Sequence, residues 1–216
     1  MTSSARFKWY SLAALVVLLG GGLVWQFSPL PALRAISSLS DPAKLATLGK
    51  RGANSRLNKL VYWLDQARRR GLPPQTAISL AQTLNRTSEP RASLVKAGLL
   101  RNLKIADQLG LLTPDNQERL RRGRAAVVTR GPYAGQHAEI DHIVPISLAP
   151  EVGNELANLE MLPARLNRNK SDWVGPRQLA HAQALAQAGL LSAESLARVR
   201  AKAAHPSRQA GEQQAM

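Results

Sequence analysis

The stretch Glu139-Ile140-Asp141-His142-Ile143-Val144-Pro145 decides the reading of this 216-residue chain, together with Asn158-Leu159-Glu160-Met161-Leu162-Pro163 and Asn167-Arg168-Asn169-Lys170-Ser171-Asp172 downstream. Hydrolysis of a phosphodiester needs an activated water, neutralised non-bridging oxygens and a stabilised leaving alkoxide. An imidazole can supply the first and a divalent cation the other two, so His142 is the candidate base. Asp141 and the amide oxygen of Asn167 are hard oxygen ligands. They suit Mg²⁺, with Mn²⁺ as second choice, better than Zn²⁺, and there is no cysteine to bias the site toward zinc.

The spacing supplies a geometry. Ala138 to Val144 reads as a short strand stopped by Pro145, on which the adjacent Asp141 and His142 point to opposite faces. The segment from Ser147 to Glu155 carries proline, glycine and asparagine and reads as a surface loop, and Leu159-Glu160-Met161-Leu162 reads as a return strand. Ala164 to Lys170 has helical composition, which brings Asn167 back over the hairpin. Taken singly, an Asp-His pair is also common as a surface turn, and asparagines serve in loops and caps. The conjunction of four positions with a strand-loop-strand-helix order is what points to catalysis.

Over residues 125 to 175 the chain resembles the HNH endonucleases, whose fold is the ββα-metal motif. The match runs through Asp141-His142, Asn158-Leu159, Asn167 and Lys170. The resemblance implies that His142 is the general base and that Asp141 and Asn167 are the metal ligands. It further implies that Asn158 ties the connecting loop and so orients the imidazole, and that Lys170 lies near a phosphate. The third position of the family pattern is asparagine here, where many members carry histidine. The paired cysteines of a structural zinc knuckle are absent, so a hydrophobic core must hold the fold.

Charge agrees with a polyanionic substrate. Lys and Arg number 29 against 14 Asp and Glu, a net charge of +15 with a sequence pI near 11.3. That balance favours nucleic acid, or an anionic surface, through counterion release and steering. Arg121, Arg122 and Arg124, with Arg130 beyond them, lead into the motif and are candidates to grip backbone phosphates. Arg68-Arg69-Arg70 forms a second cluster. Either run read alone is equally a solvated helix face. Aromatic residues make up only 4% of the chain, which disfavours a base-stacking platform and favours duplex DNA held by its backbone. Among the other histidines, His137 lies on the hairpin as a strand-edge residue, His181 in an alanine-rich helix and His205 in the tail, the last two expected on the surface.

Residues Trp9 to Phe27 form 19 uncharged positions preceded by Arg6 and Lys8. As a helix they would extend about 28 Å, long enough to span a bilayer. A retained signal anchor is favoured over a cleaved signal peptide, because aromatics flank the run and no small-x-small site follows it. The catalytic part is then expected outside the cytoplasm, on the membrane, or periplasmic or secreted after cleavage. The expected organisation is a signal anchor or signal peptide over 1–28, a Pro/Ser-rich linker over 29–54, a helical region over 55–124, the nuclease motif over 125–175, a helical hairpin over 176–204 and a disordered tail over 205–216. The fold class is mostly α with a small ββα-metal (HNH) centre and an N-terminal transmembrane or signal helix. Glycine followed by a hydroxyl residue at Gly110/Thr113 and Gly189/Ser192 predicts two helix ends, each followed by a capped helix.

The function expected is a metal-dependent HNH endonuclease acting on DNA with low sequence preference, its partners being DNA and, through the N-terminal helix, a membrane, with no protein partner implied. The alternatives are an envelope DNA-binding protein with an inactive HNH-like site and a basic envelope protein that addresses anionic lipid or wall polymer.

Overall fold

Leu57, Leu60, Val61 and Leu64 recur at helical spacing and are all fully buried, and the helix that carries them, α3 (Gly52–Arg69), is the spine of the molecule. The structure, a computed structural model, describes residues 28–204. Around α3 lie α1 (Leu30–Ser40), α2 (Pro42–Ala46), α4 (Pro74–Leu84), α5 (Arg91–Gln108) and α6 (Pro114–Arg121). The chain then forms β1 (Ala138–His142) and β2 (Leu159–Pro163), followed by α7 (Ala164–Lys170), α8 (Pro176–Gln187) and α9 (Ala193–Ala204). The described residues are thus mostly helical, with one small two-stranded antiparallel sheet.

The linker expected over 29–54 is instead helical for much of its length. Ala32 and Ile36, one turn apart, are fully buried, and α1 packs against α3 and α4. Its prolines and serines, read as linker composition, have other roles. Pro31 and Pro42 occupy first-turn positions, where the missing N–H is no loss, and the Asp41 side chain accepts from the Ala43 amide at 3.0 Å to start α2. Ser37 Oγ donates to Asn85 Oδ1 at 2.8 Å, and Asn85 Nδ2 donates to the Ser37 carbonyl at 2.9 Å, closing α1 onto the end of α4.

Gly110 and Gly189 both end helices with positive φ, 67° and 69°. Ser192 caps α9, its Oγ accepting from the Ser195 amide at 3.1 Å, but Thr113 makes no side-chain cap before α6. The candidate membrane span and the C-terminal tail with His205 lie outside the described residues. Among the described residues no helix is long and apolar enough to cross a membrane.

In the sheet, Ala138 faces Pro163, Ile140 faces Met161, Asp141 faces Glu160 and His142 faces Leu159. Strand alternation puts Glu139, Asp141 and Glu160 on one face, under α7, and Ile140, Leu159 and Met161 on the other, toward the helical core. The core side is sealed by α5. Gly98 lets this helix approach the backbone of Leu156 and Ala157, where an added Cβ would sit 3.3 Å from both. One turn on, fully buried Asn102 donates to the Leu159 carbonyl at 2.9 Å and accepts from the Met161 amide at 2.8 Å. Its side chain thus pairs with the free edge of β2 as a third strand would.

Candidate active site

His142 ends β1 and is 5% exposed. Its Nε2 lies 2.9 Å from the Gly153 carbonyl oxygen. A carbonyl only accepts, so Nε2 carries the proton and Nδ1 is left as the basic nitrogen of the neutral ring. Burial pulls the ring's pKa below its ordinary value, and the charges of Arg51 and Lys170 act in the same direction, against the Gly153 carbonyl and Asp141. The ring is therefore neutral near pH 7, as a base must be.

The loop that supplies Gly153 is held by Asn158, which is fully buried. Asn158 Oδ1 accepts from the Val144 amide at 2.8 Å, and its Nδ2 donates to the carbonyls of Val144 at 3.0 Å and Val152 at 3.4 Å. The same residue's carbonyl accepts from the Ile143 amide at 2.8 Å. These bonds end β1 at His142, two residues short of the expected Val144, because the next amides turn toward Asn158. The loop of residues 147–155 is also less open than expected: Ala149, Val152 and Glu155 are buried, and Glu155 pairs with Arg91 at 2.7 Å.

On the other face, α7 brings Asn167 and Lys170 over β1. Asn167 Nδ2 donates to Glu139 Oε2 at 2.7 Å, leaving its side-chain Oδ1 without a bond to the described residues. Glu139 was not singled out from the sequence, although strand alternation places it beside Asp141, two residues away. Lys170 is 8% exposed, and its Nζ lies 2.6 Å from the His142 carbonyl and 2.6 Å from Asp141 Oδ2. The lysine expected beside a phosphate is therefore buried against Asp141. Asp141 Oδ2 is itself buried, with that ammonium as its partner. Two carboxylates and a side-chain amide oxygen on neighbouring elements are donors of the kind a hard divalent cation takes, with the Lys170 ammonium as the present partner of Asp141. Across the strands from Asp141, buried Glu160 is paired with Arg177 of α8.

The arginines expected to grip the substrate are placed elsewhere. Arg121 and Arg122 both pair with Glu118 on the surface of α6. Arg130 donates to the Asp107 carbonyl at 3.2 Å, and Arg124 is exposed at the turn after α6. No hydrogen bond or ion pair among the described residues joins these four to Asp141, His142 or Asn167. Of the second cluster, Arg68 and Arg69 both lie 2.6 Å from Asp65, which is fully buried, so they neutralise a core carboxylate. His137 is exposed, as expected. His181 is not a surface residue: it is half-buried with an unpartnered Nε2, and burial together with the Arg101 charge lowers its pKa to about 4. The chain matches no protein-family model, no curated protein and no solved structure.

Proposed function

We propose that this chain is a metal-dependent endonuclease of the HNH type that hydrolyses phosphodiester bonds of DNA with little sequence preference. The observation that carries the reading is the convergence, on one strand-loop-strand-helix unit, of a neutral imidazole with, on the adjacent residue, a largely buried carboxylate lying under the helix that carries Asn167. His142 Nδ1 takes a proton from a water as the water oxygen bonds to phosphorus and the bond from phosphorus to the leaving sugar oxygen breaks. Gly153 holds the ring in the productive tautomer, and Asn158, which does not touch the reacting atoms, positions Gly153. Asp141, Asn167 and Glu139 would hold the cation, Mg²⁺ before Mn²⁺ or Zn²⁺. When bound, that ion supplies charge neutralisation on the phosphate and the leaving oxygen. Exposed basic residues in a chain of net charge +15 would contribute affinity without sequence information. The apolar stretch Trp9 to Phe27 supports a membrane-anchored or exported enzyme with its catalytic part outside the cytoplasm.

One observation favours the second reading, a DNA-binding protein with an inactive site. The ammonium of Lys170 already neutralises Asp141, so the carboxylate has a charge partner without any metal. Plasmid cleavage by the full chain in detergent separates the two. Nicking that requires Mg²⁺, stops with EDTA and is lost in His142→Ala while duplex binding persists is the outcome expected of the enzyme. Binding without cleavage in Mg²⁺, Mn²⁺ or Zn²⁺ would replace it with the binding protein. The chain used should keep residues 30–40 intact, because Ala32 and Ile36 belong to the core.

A further inference from the structure

The turn between α2 and α3 is fastened to the active-site loop by one side chain. Asn154 Nδ2 donates to the carbonyls of Leu48 at 3.0 Å and Gly49 at 3.1 Å, and its Oδ1 accepts from the Ala53 amide at 3.1 Å. Asn154 directly follows Gly153, which holds His142. Two consecutive loop residues therefore fix the imidazole and fix where Lys50 and Arg51 stand relative to it. Between the turn and the loop opens a cleft of about 480 Å³, lined by Leu48, Lys50, Arg51, Ile146, Pro150 and Gly153, among others. That volume is in the range of sites that take a small ligand or a segment of a larger one. Glu151 also borders the cleft, but its carboxylate accepts from Ser192 Oγ at 2.8 Å and from the Ser192 amide at 3.1 Å.

Arg51 has no structural task that accounts for it. It is exposed, its carbonyl accepts from the Asn54 amide at 3.1 Å while its side chain makes no hydrogen bond or ion pair among the described residues, and its φ is +61°. In that left-handed region a side chain costs about 1 kcal/mol that glycine avoids. It nevertheless lines the same cleft as Gly153, whose carbonyl binds the His142 ring. A strained, unpartnered cation at the mouth of a cleft beside a candidate base is a pattern of functional sites.

We propose that the cleft is a nucleic-acid backbone subsite in which Arg51, assisted by Lys50, binds a phosphate neighbouring the one cut at His142. The strand would run from the Asp141–Asn167 face past the imidazole and into the cleft, so the turn between α2 and α3 adds to the substrate grip. This rests on the nuclease reading of His142. Arginine suits the role because its planar fork matches two phosphate oxygens at once.

The test uses the full chain in detergent as wild type, Arg51→Gly and Arg51→Lys, with a short fluorescein-labelled DNA duplex. Binding is titrated in EDTA over a range of salt, and cleavage is followed in Mg²⁺. Glycine suits the left-handed backbone, so Arg51→Gly should melt no lower than wild type, which separates loss of a contact from loss of fold. We expect Arg51→Gly to bind about tenfold more weakly and its slope of log affinity against log salt to be shallower by about 0.9, the signature of one lost phosphate contact. Arg51→Lys should keep the slope and cut more slowly. A wild type that cuts, with an Arg51→Gly variant that keeps the full slope and affinity, overturns the Arg51 subsite alone. A shallower slope in a protein that never cuts retains the phosphate contact and overturns the nuclease reading. Neither cleavage nor a change in slope overturns both.

Discussion

Replacing Lys170 with methionine probes the centre of the site, because it removes a charge while keeping an unbranched apolar stem. The side chains of Lys170 and Asp141 are 9% and 13% exposed, and Nζ lies 2.6 Å from Oδ2. Breaking a buried pair from one side leaves the other charge uncompensated, which costs about 3–5 kcal/mol. Asp141 retains some contact with water, so the lower end applies, about 3 kcal/mol. For a domain of this size that is a fall in Tm of about 6–12 °C, read by calorimetry or by urea denaturation in EDTA near neutral pH. Adding Asp141→Asn to Lys170→Met should recover about half of the loss, because no charge is then left stranded. Mg²⁺ should raise Tm more in Lys170→Met than in wild type, since no ammonium competes for the carboxylate. If Lys170 instead served mainly as a phosphate contact, the substitution would weaken DNA binding and leave stability nearly intact. A loss below about 1 kcal/mol, or strict additivity with Asp141→Asn, would refute the assigned pairing.

Two further outcomes follow from groups outside the site. His181 titrates near 6.5 when unfolded but at about 4 in the fold, so between these values the unfolded chain takes up a proton that the native state does not. Stability should therefore fall as pH drops through that window, by about 2 kcal/mol after allowance for the ring's partial exposure, and the urea midpoint of His181→Gln should be flatter across it. Gly110 and Gly189 share a left-handed backbone, but a Cβ at Gly110 would collide with Thr129 Oγ1 and Arg130 Cγ, whereas at Gly189 it would meet nothing within 4 Å. Gly189→Ala should cost about 1 kcal/mol and Gly110→Ala about 2–4 kcal/mol, compared by thermal melting.

The parts of the site visible in the sequence are those set by local rules. Helix α7 runs over Ala164–Lys170 as its composition predicts, and the hairpin falls within the expected stretch, with β1 ending two residues early at His142. Glu139 was within reach of the same alternation. Proline marks both linkers and helix starts, and only the burial of Ala32 and Ile36 distinguishes the helix found here from the linker expected over 29–54. Asn102, Asn154 and Arg51 were beyond local reasoning. Asn102 looks like a polar interruption of an apolar helix face, and its partners lie 57 and 59 residues away. Asn154 reaches back more than 100 residues to the turn before α3. The charge runs misled for a related reason: Arg68, Arg69, Arg121 and Arg122 each find a carboxylate within four residues on their own helix, so their charge is spent locally.

A two-stranded hairpin with one short helix buries too little to be stable alone, and the way this one is held explains the size of the helical region around it. Asn102 occupies the open edge of β2 and Asn158 binds the Val144 backbone through both ends of its amide. Asn116 does the same to Val127 ahead of the hairpin, at 2.7 and 2.8 Å. Each is buried, so each amide exchanges water for backbone partners that would otherwise be unsatisfied in the core. An amide clamp fixes direction as well as distance, which an apolar contact does not. In a chain without cysteine, three such clamps do for the hairpin and its approaches what a bound structural metal does in other small folds. Residues 125–175 are therefore not a separable unit: their edge, their loop and their cleft are completed by α5, α6 and the turn before α3.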